Sequence, residues 1–342
     1  GMSEGIVGNK YESASIVRKL GVCIVYIGIS TALIRFNKYM MSPDVFPFSL
    51  ALSTIHMIVS TMLCVLLYMV KPSMFTAMRT VQDNKLDMAK WFVPIGALFA
   101  VMLYGSNQAY IFCSVTMLQF MKEANVMIVF LISCTVGLQL MDRLRFFLIV
   151  WVIVSATISV SGDLRFSLVG IAFQAISQLA ECARIVLGEF MLSGRKLDPM
   201  TYTAFMAPTC FAVLAVANAV AWNPAVVPAF MTHWRLLAAN AGVAFLLNVL
   251  VATVIKELSA VGFVLTGLTK DIFIVVLSCV IFGEQVTHAQ SLAFCMTLAG
   301  AGMWSLMKIL PEAPPLRLLK RALCMPIAGK SETDPLLPGR KV

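Results

Sequence analysis

Between residues 19 and 309 the chain is a succession of apolar stretches, each roughly 20 residues long and parted by short polar breaks. The hydrocarbon core of a bilayer is about 30 Å thick, and one helical crossing needs about 20 apolar residues. We read ten such spans, at 19–41, 46–70, 91–112, 115–141, 144–161, 164–192, 199–221, 235–257, 260–282 and 286–309. The breaks carry turn chemistry: Ser42-Pro43-Asp44, Lys71-Pro72, Asp142-Arg143, Gly162-Asp163, Gly194-Arg195-Lys196 and Asn223-Pro224. The predicted fold class is therefore all-α, a polytopic membrane protein with a polar N-terminal segment at 1–18 and a tail at 311–342. The longest internal loop, 71–90, carries four basic and two acidic residues, and the Pro-rich basic tail is expected to be mostly disordered.

Composition agrees. Hydrophobic residues make up 60% of the 342 and charged ones only 13%, too few for the surface of a soluble domain. The formal charge of +9 would point to nucleic acid in a soluble protein. Here topology accounts for it, and no nucleic-acid partner is expected. The N-terminus, the even-numbered loops and the tail hold 19 of the 26 Lys and Arg residues. The odd-numbered loops hold Arg35, Lys38, Arg165 and Arg235, and Lys122, Arg184 and Lys270 lie inside spans. That asymmetry predicts an even number of spans with both termini cytosolic. Residues 2–20 resemble neither a cleavable signal peptide nor a transit peptide.

The nine cysteines contain no CxxC pair, and eight fall in or beside apolar runs, so they read as small core residues. No nucleophile elbow, zinc-protease motif or phosphate-binding loop occurs. An enzyme, a metal and a cofactor are accordingly not expected, and any transport must be secondary.

A repeat is visible in two spans. The fourth contains Met121-Lys122-Glu123-Ala124-Asn125 and the ninth Thr269-Lys270-Asp271-Ile272-Phe273, each a Lys-acid dipeptide inside an apolar run. Each span is fourth in a set of five. Five is odd, so the second set enters the membrane from the opposite side, giving two inverted five-helix halves at 19–161 and 164–310.

A charge at the bilayer centre costs at least ~2.5–3.5 kcal/mol, so Lys122, Glu123, Lys270 and Asp271 must face water or one another. Two readings follow: the lysines pair with acids and tie helices together, or they converge on a central site and hold an anion. Neighbours on a helix point about 100° apart, which argues against pairing within each dipeptide. Glu181 and Arg184 stand one turn apart and can form an ion pair; alternatively Arg184 serves an anion site. Tyr104, Asn107, Gln108 and Tyr110 form a polar stripe that lines a cavity or knits helices. Lys38 can snorkel to the interface or reach a ligand. His56 reads as a helix-to-helix hydrogen bonder or a ligand.

At this point the residues resemble a family. Phe36-Asn37-Lys38-Tyr39, Phe46-Pro47-Phe48 and His56-Met57 are similar to the first hairpin of the triose-phosphate and nucleotide-sugar transporters of the drug/metabolite transporter superfamily. Ala109-Tyr110, Ser114-Val115 and Gln119-Phe120-Met121-Lys122 resemble their third and fourth helices, Arg184-Ile185-Val186-Leu187 the sixth and Thr269-Lys270-Asp271 the ninth. The resemblance covers about 20–310 and implies ten helices, a central site and strict exchange. In the plastid phosphate translocators a fourth-helix Lys and a ninth-helix Lys-Arg pair hold phosphate. Lys122 and Lys270 match; Asp271 stands in place of the Arg, which resembles a branch expected to carry nucleotide sugars in the secretory pathway.

The resemblance thus implies an antiporter that exchanges a nucleotide sugar for a nucleoside monophosphate in Golgi or ER membranes. The alternative is a sugar-phosphate or phosphoenolpyruvate exchanger working against phosphate, with a plastid membrane as the other location. A receptor or structural membrane protein, whose buried charges only hold helices, is the reading from another class. The expected substrate-binding residues are Lys122, Lys270, Asp271, Arg184, Tyr110, Glu123, Asn107 and Lys38. In the tail, Glu332-Thr333-Asp334-Pro335-Leu336-Leu337 fits an acidic dileucine pattern, so sorting adaptors contacting Glu332, Leu336 and Leu337 are a candidate partner. Chance leucines are the plainer reading.

Overall fold

The computed structural model describes residues 2–122, 124–135, 141–161, 167–282, 286–309 and 314–322. Among these residues all regular structure is helical. The helices are α1 (Met2–Met40), α2 (Ser49–Val70), α3 (Met78–Asp83), α4 (Lys85–Phe112), α5 (Val115–Lys122) and α6 (Asn125–Thr135). They continue with α7 (Arg143–Ser161), α8 (Leu168–Glu189), α9 (Pro199–Val220), α10 (Val226–Phe282), α11 (His288–Ile309) and α12 (Pro314–Ala322). Among the described residues seven helical segments are long and apolar enough to cross a membrane: Val17–Met40, Ser49–Val70, Lys85–Phe112, Val115–Ile132, Leu168–Gly194, Pro199–Val220 and Val226–Leu258. Their outward faces are apolar, as lipid requires: Val70 is 73% exposed and Val220 84%. The chain is an integral membrane protein.

Four expectations need correction. The fourth span is broken: α5 stops at Lys122 and α6 starts at Asn125. The third span starts at Lys85 rather than 91, after a loop that holds a 3₁₀ turn at Pro72–Met74 and α3. Burial of Phe75, Ala77 and Val81 anchors that loop. The tail forms α12, whose Leu316 is fully buried while Leu318 and Arg317 face outward. The dileucine segment lies outside the described residues.

The eighth and ninth spans, finally, both fall within α10. α10 has 57 residues, about 86 Å if straight, far more than a bilayer. Its contacts along α1 show a sharp bend. Asn240 bonds Asn37 and Glu257 pairs with Arg18, so the first part runs antiparallel to α1. Later contacts lie back along α1 from Arg18, with Phe263 on Tyr26 and Thr266 at Cys23. Ile274 accordingly shares a cluster with Leu237 and Ile34. The chain doubles back just after Glu257, which lays two passes side by side.

Small residues allow close helix contact in the central layer. A Cβ on Gly96 of α4 would lie 2.8 Å from the Cys210 nitrogen of α9, and one on Gly105 2.9 Å from the Phe173 carbonyl of α8. At the bundle end, Asp198 caps α9 and holds the loop after α2. It accepts from the Thr201 N–H (2.8 Å), the Thr201 hydroxyl (2.7 Å), the Ala77 N–H (2.8 Å) and the Thr76 hydroxyl (3.2 Å). Burial opposes its charge, but these four donors outweigh burial and keep the carboxyl below its ordinary range. Arg195 reaches Asp87 at 2.6 Å. The second and sixth loops thus adjoin, as do the N-terminal segment and the bend at Glu257.

Candidate substrate site

The seven central helices α1, α2, α4, α5, α8, α9 and α10 enclose a cavity of about 120 Å³. Three cations line it, each from a different helix: Lys122 at the end of α5, Arg184 in the C-terminal third of α8 and Lys270 in the second pass of α10. Glu181, one turn before Arg184, lines it as well. So do Asn37, His56, Asn107 and Tyr110.

Lys122 sits where the fourth span breaks. A break inside a membrane frees backbone groups, which is tolerated only beside protein or a wet cavity. Gln178 of α8 fills the gap, its amide donating to the Met121 carbonyl (2.7 Å) and to Asn125 Oδ1 (2.8 Å). Asn125 in turn donates to Glu181 Oε2 at 3.3 Å. The break, Lys122 and Glu181 are thereby one unit.

Lys270 and Asp271 form an ion pair at 2.9 Å, both almost fully buried. This corrects the argument that neighbours on a helix cannot neutralise each other. Their Cα–Cβ vectors diverge, but the four-carbon Lys stem is long enough to curl back to the next residue. Asp271 is absent from the cavity lining, whereas Lys270 is part of it. Arg184 makes no ion pair with Glu181 among the described residues. Its guanidinium lies 4.5 Å from the centroid of Phe99, a cation–π contact that leaves the fork toward the cavity side.

The polar stripe of the third span divides. Asn107 and Tyr110 reach the cavity. Gln108 accepts from Ser49, and Tyr104 packs edge-on against Phe173. Asn107 belongs to a hydrogen-bond relay that circles four helices in one direction. His56 bonds Asn240, Asn240 donates to Asn37 (3.0 Å), Asn37 to Asn107 (3.2 Å), Asn107 to Ser53 (2.9 Å) and Ser53 to the Ser49 carbonyl (2.8 Å). Because the Asn240 amide nitrogen is committed to Asn37, its oxygen must accept, so His56 carries its proton on Nε2. Lys38 does not line the cavity; its ammonium donates to the Tyr110 and Cys113 carbonyls and caps the C-terminus of α4. Glu123 lies outside the described residues.

Several lining residues escaped the sequence reading: Tyr26, Ser30, Asn248 and Glu181 as a site member. The available signal was a polar residue inside an apolar run, the criterion that picked Asn107; Glu181 was read only as a partner of Arg184.

The geometry has counterparts. No family model matches the chain. Two Arabidopsis thaliana proteins named as probable sugar phosphate/phosphate translocators are similar to it. One is 30% identical over 295 residues, covering 84% of this chain and 78% of the relative. The other is 28% identical over 288 residues, covering 82% and 85%. UDP-galactose transporter 1 of the same plant is 24% identical over 306 residues, covering 84% and 87%. A crystal structure with 12% identity superposes with a TM-score of 0.54, covering 88% of this chain and 99% of the other, so the two share a fold. The relatives are transporters, not enzymes, and buried cations around a central cavity suit that activity. The chain belongs to the triose-phosphate/nucleotide-sugar transporter family of the drug/metabolite transporter superfamily.

Proposed function

We propose that the chain is a secondary antiporter that exchanges a nucleotide sugar for a nucleoside monophosphate across an endomembrane, Golgi or ER. The observation that carries this reading is the mixed lining of the cavity. Lys122, Arg184 and Lys270 offer charge-assisted donors to phosphate oxygens. Beside them Tyr26, Phe99, Tyr110 and Phe263 offer flat apolar surface, and Asn248 offers an amide. Only a substrate with both a phosphate and a large neutral part uses all of these. Lys270 spends much of its charge on Asp271, so a compact dianion gains less than a diphosphate whose charge is spread.

We further propose ten crossings in two inverted halves, 19–161 and 164–310, with both termini cytosolic. The bend in α10 supports separate eighth and ninth crossings, and α7 and α11 supply the fifth and tenth. Lys122 and Lys270 then occupy equivalent places in the two halves.

A second reading rests on the names of the relatives, most of them probable sugar phosphate/phosphate translocators, and on three cations against two nearby acids. In that reading the substrate is a sugar phosphate and the counter-substrate phosphate. A thermal-shift screen of the purified chain against nucleotide sugars, nucleoside monophosphates, three-carbon phosphates and inorganic phosphate separates the two. Stabilisation by nucleotides supports the first reading. Stabilisation by phosphate and three-carbon phosphates alone replaces it with the second.

A further inference from the structure

The cavity holds one feature that phosphate binding leaves unexplained. Glu181 places a carboxylate among the three cations, in the wall where an anion would sit. An acid there weakens the attraction for any phosphate, so it must contribute something else. The acid that the sequence puts beside the ninth-span lysine, Asp271, is committed to Lys270 at 2.9 Å and lies outside the lining. Glu181 is therefore the carboxylate that a substrate meets.

We propose that Glu181 is the specificity-determining residue of this site, selecting a phosphate ester that carries sugar hydroxyls over inorganic phosphate. This rests on the exchange reading above. A carboxylate has two oxygens and about four lone-pair positions, and it donates nothing. Asn125 uses one of those positions, on Oε2 at 3.3 Å. Among the described residues it accepts no other hydrogen bond, and lysines and arginines cannot accept from a hydroxyl. The neighbouring amides cannot replace it easily, because Asn37 and Asn107 already bond each other, Asn240 and Ser53. A phosphorylated sugar places its phosphate on the cations and turns hydroxyls toward Glu181. A free phosphate has no hydroxyl apart from its P–OH groups, so any donor it turns to Glu181 brings the phosphate charge against the carboxylate as well. The link from Glu181 through Asn125 to the helix break at Lys122 fixes the acceptor relative to the cation.

The test is competition in proteoliposomes of the full chain, comparing UDP-galactose, glucose 1-phosphate and inorganic phosphate for the parent protein, Glu181→Gln and Glu181→Asp. The expected result is at least a tenfold loss of preference for the two sugar compounds over phosphate in Glu181→Gln, from weaker sugar binding and stronger phosphate binding together. Glu181→Asp is expected to keep part of the preference. A carboxylate acting only as a counter-ion would shift all three ligands by the same factor, and an unchanged preference overturns the proposal. A second measurement needs no variant. Parent protein is competed with singly deoxygenated glucose 1-phosphates, and at least one position is expected to cost tenfold or more in affinity. Equal binding of every deoxy analogue overturns the role of Glu181. Parent protein that takes none of the phosphorylated compounds overturns the exchange reading itself, a different result from exchange without selectivity.

Discussion

Asn240 is the only member of the hydrogen-bond relay that comes from the second half of the chain, and its removal should loosen the bundle measurably. It is fully buried. Its amide accepts from His56 of α2 and donates to Asn37 of α1. Asn240→Ala leaves two buried partners without one of their bonds, the His56 Nε2–H and the Asn37 oxygen. Each orphaned group costs about 1–3 kcal/mol. Both partners line the cavity, so water can reach them, which favours the lower end for each and a total of about 2–3 kcal/mol. A helical membrane protein has further crossings to hold it, so the fold survives, but apparent melting in detergent should fall by about 5 °C. Asn240→Asp keeps the acceptor for His56 and loses the donor to Asn37, and should fall by about half as much. The assay is intrinsic fluorescence during a thermal ramp at fixed scan rate. Melting of Asn240→Ala within a degree of the parent would refute the relay as a stabilising element.

Other outcomes follow from the same geometry. Lys270→Gln leaves Asp271 buried without its cation, a loss of about 3–5 kcal/mol; adding Asp271→Asn should restore melting in detergent but not exchange. Gly96→Ala puts a methyl group 2.8 Å from the Cys210 nitrogen, and forced separation of α4 from α9 should lower stability by about 1–3 kcal/mol in the same thermal assay. Asp198 is held below its ordinary range, so its contribution is full above the unfolded value of about 3.9 and is lost as pH falls through the folded value. Proteolytic nicking between residues 71 and 84 should therefore rise only at strongly acid pH in the parent, and at neutral pH in Asp198→Ala.

The membrane fold was legible because long apolar runs have one physical solution. The helix limits were less so. Hydropathy registers the apolar character of 115–141 and of the two passes of α10, but not where backbone hydrogen bonds stop or bend. At the break beside Lys122 the Met121 carbonyl accepts from the Ala124 N–H and from the Gln178 amide of another helix. The bend after Glu257 depends on tertiary contact with α1. In the site, Lys122, Arg184, Lys270, Asn107 and Tyr110 could be picked out because polar groups inside apolar runs are expensive. Which acid faces the cavity could not. Asp271 is buried and Glu181 half-buried, both are carboxylates inside apolar runs close to cations, and side-chain direction separates them. Lys38 shows the same limit, since a lysine at the end of a span can cap a helix as well as bind an anion.

The central claim is that Lys122 and Lys270 hold the phosphate of a nucleotide sugar exchanged for a nucleoside monophosphate. Counterflow in proteoliposomes tests it most directly, with vesicles preloaded with nucleoside monophosphate or with inorganic phosphate and labelled UDP-galactose outside. The expected result is uptake that requires internal nucleotide and that falls about 10- to 150-fold in apparent affinity for Lys122→Gln, the loss of one charge-assisted contact. Uptake driven by internal phosphate and indifferent to nucleotide, or parent-level uptake in Lys122→Gln, would contradict it.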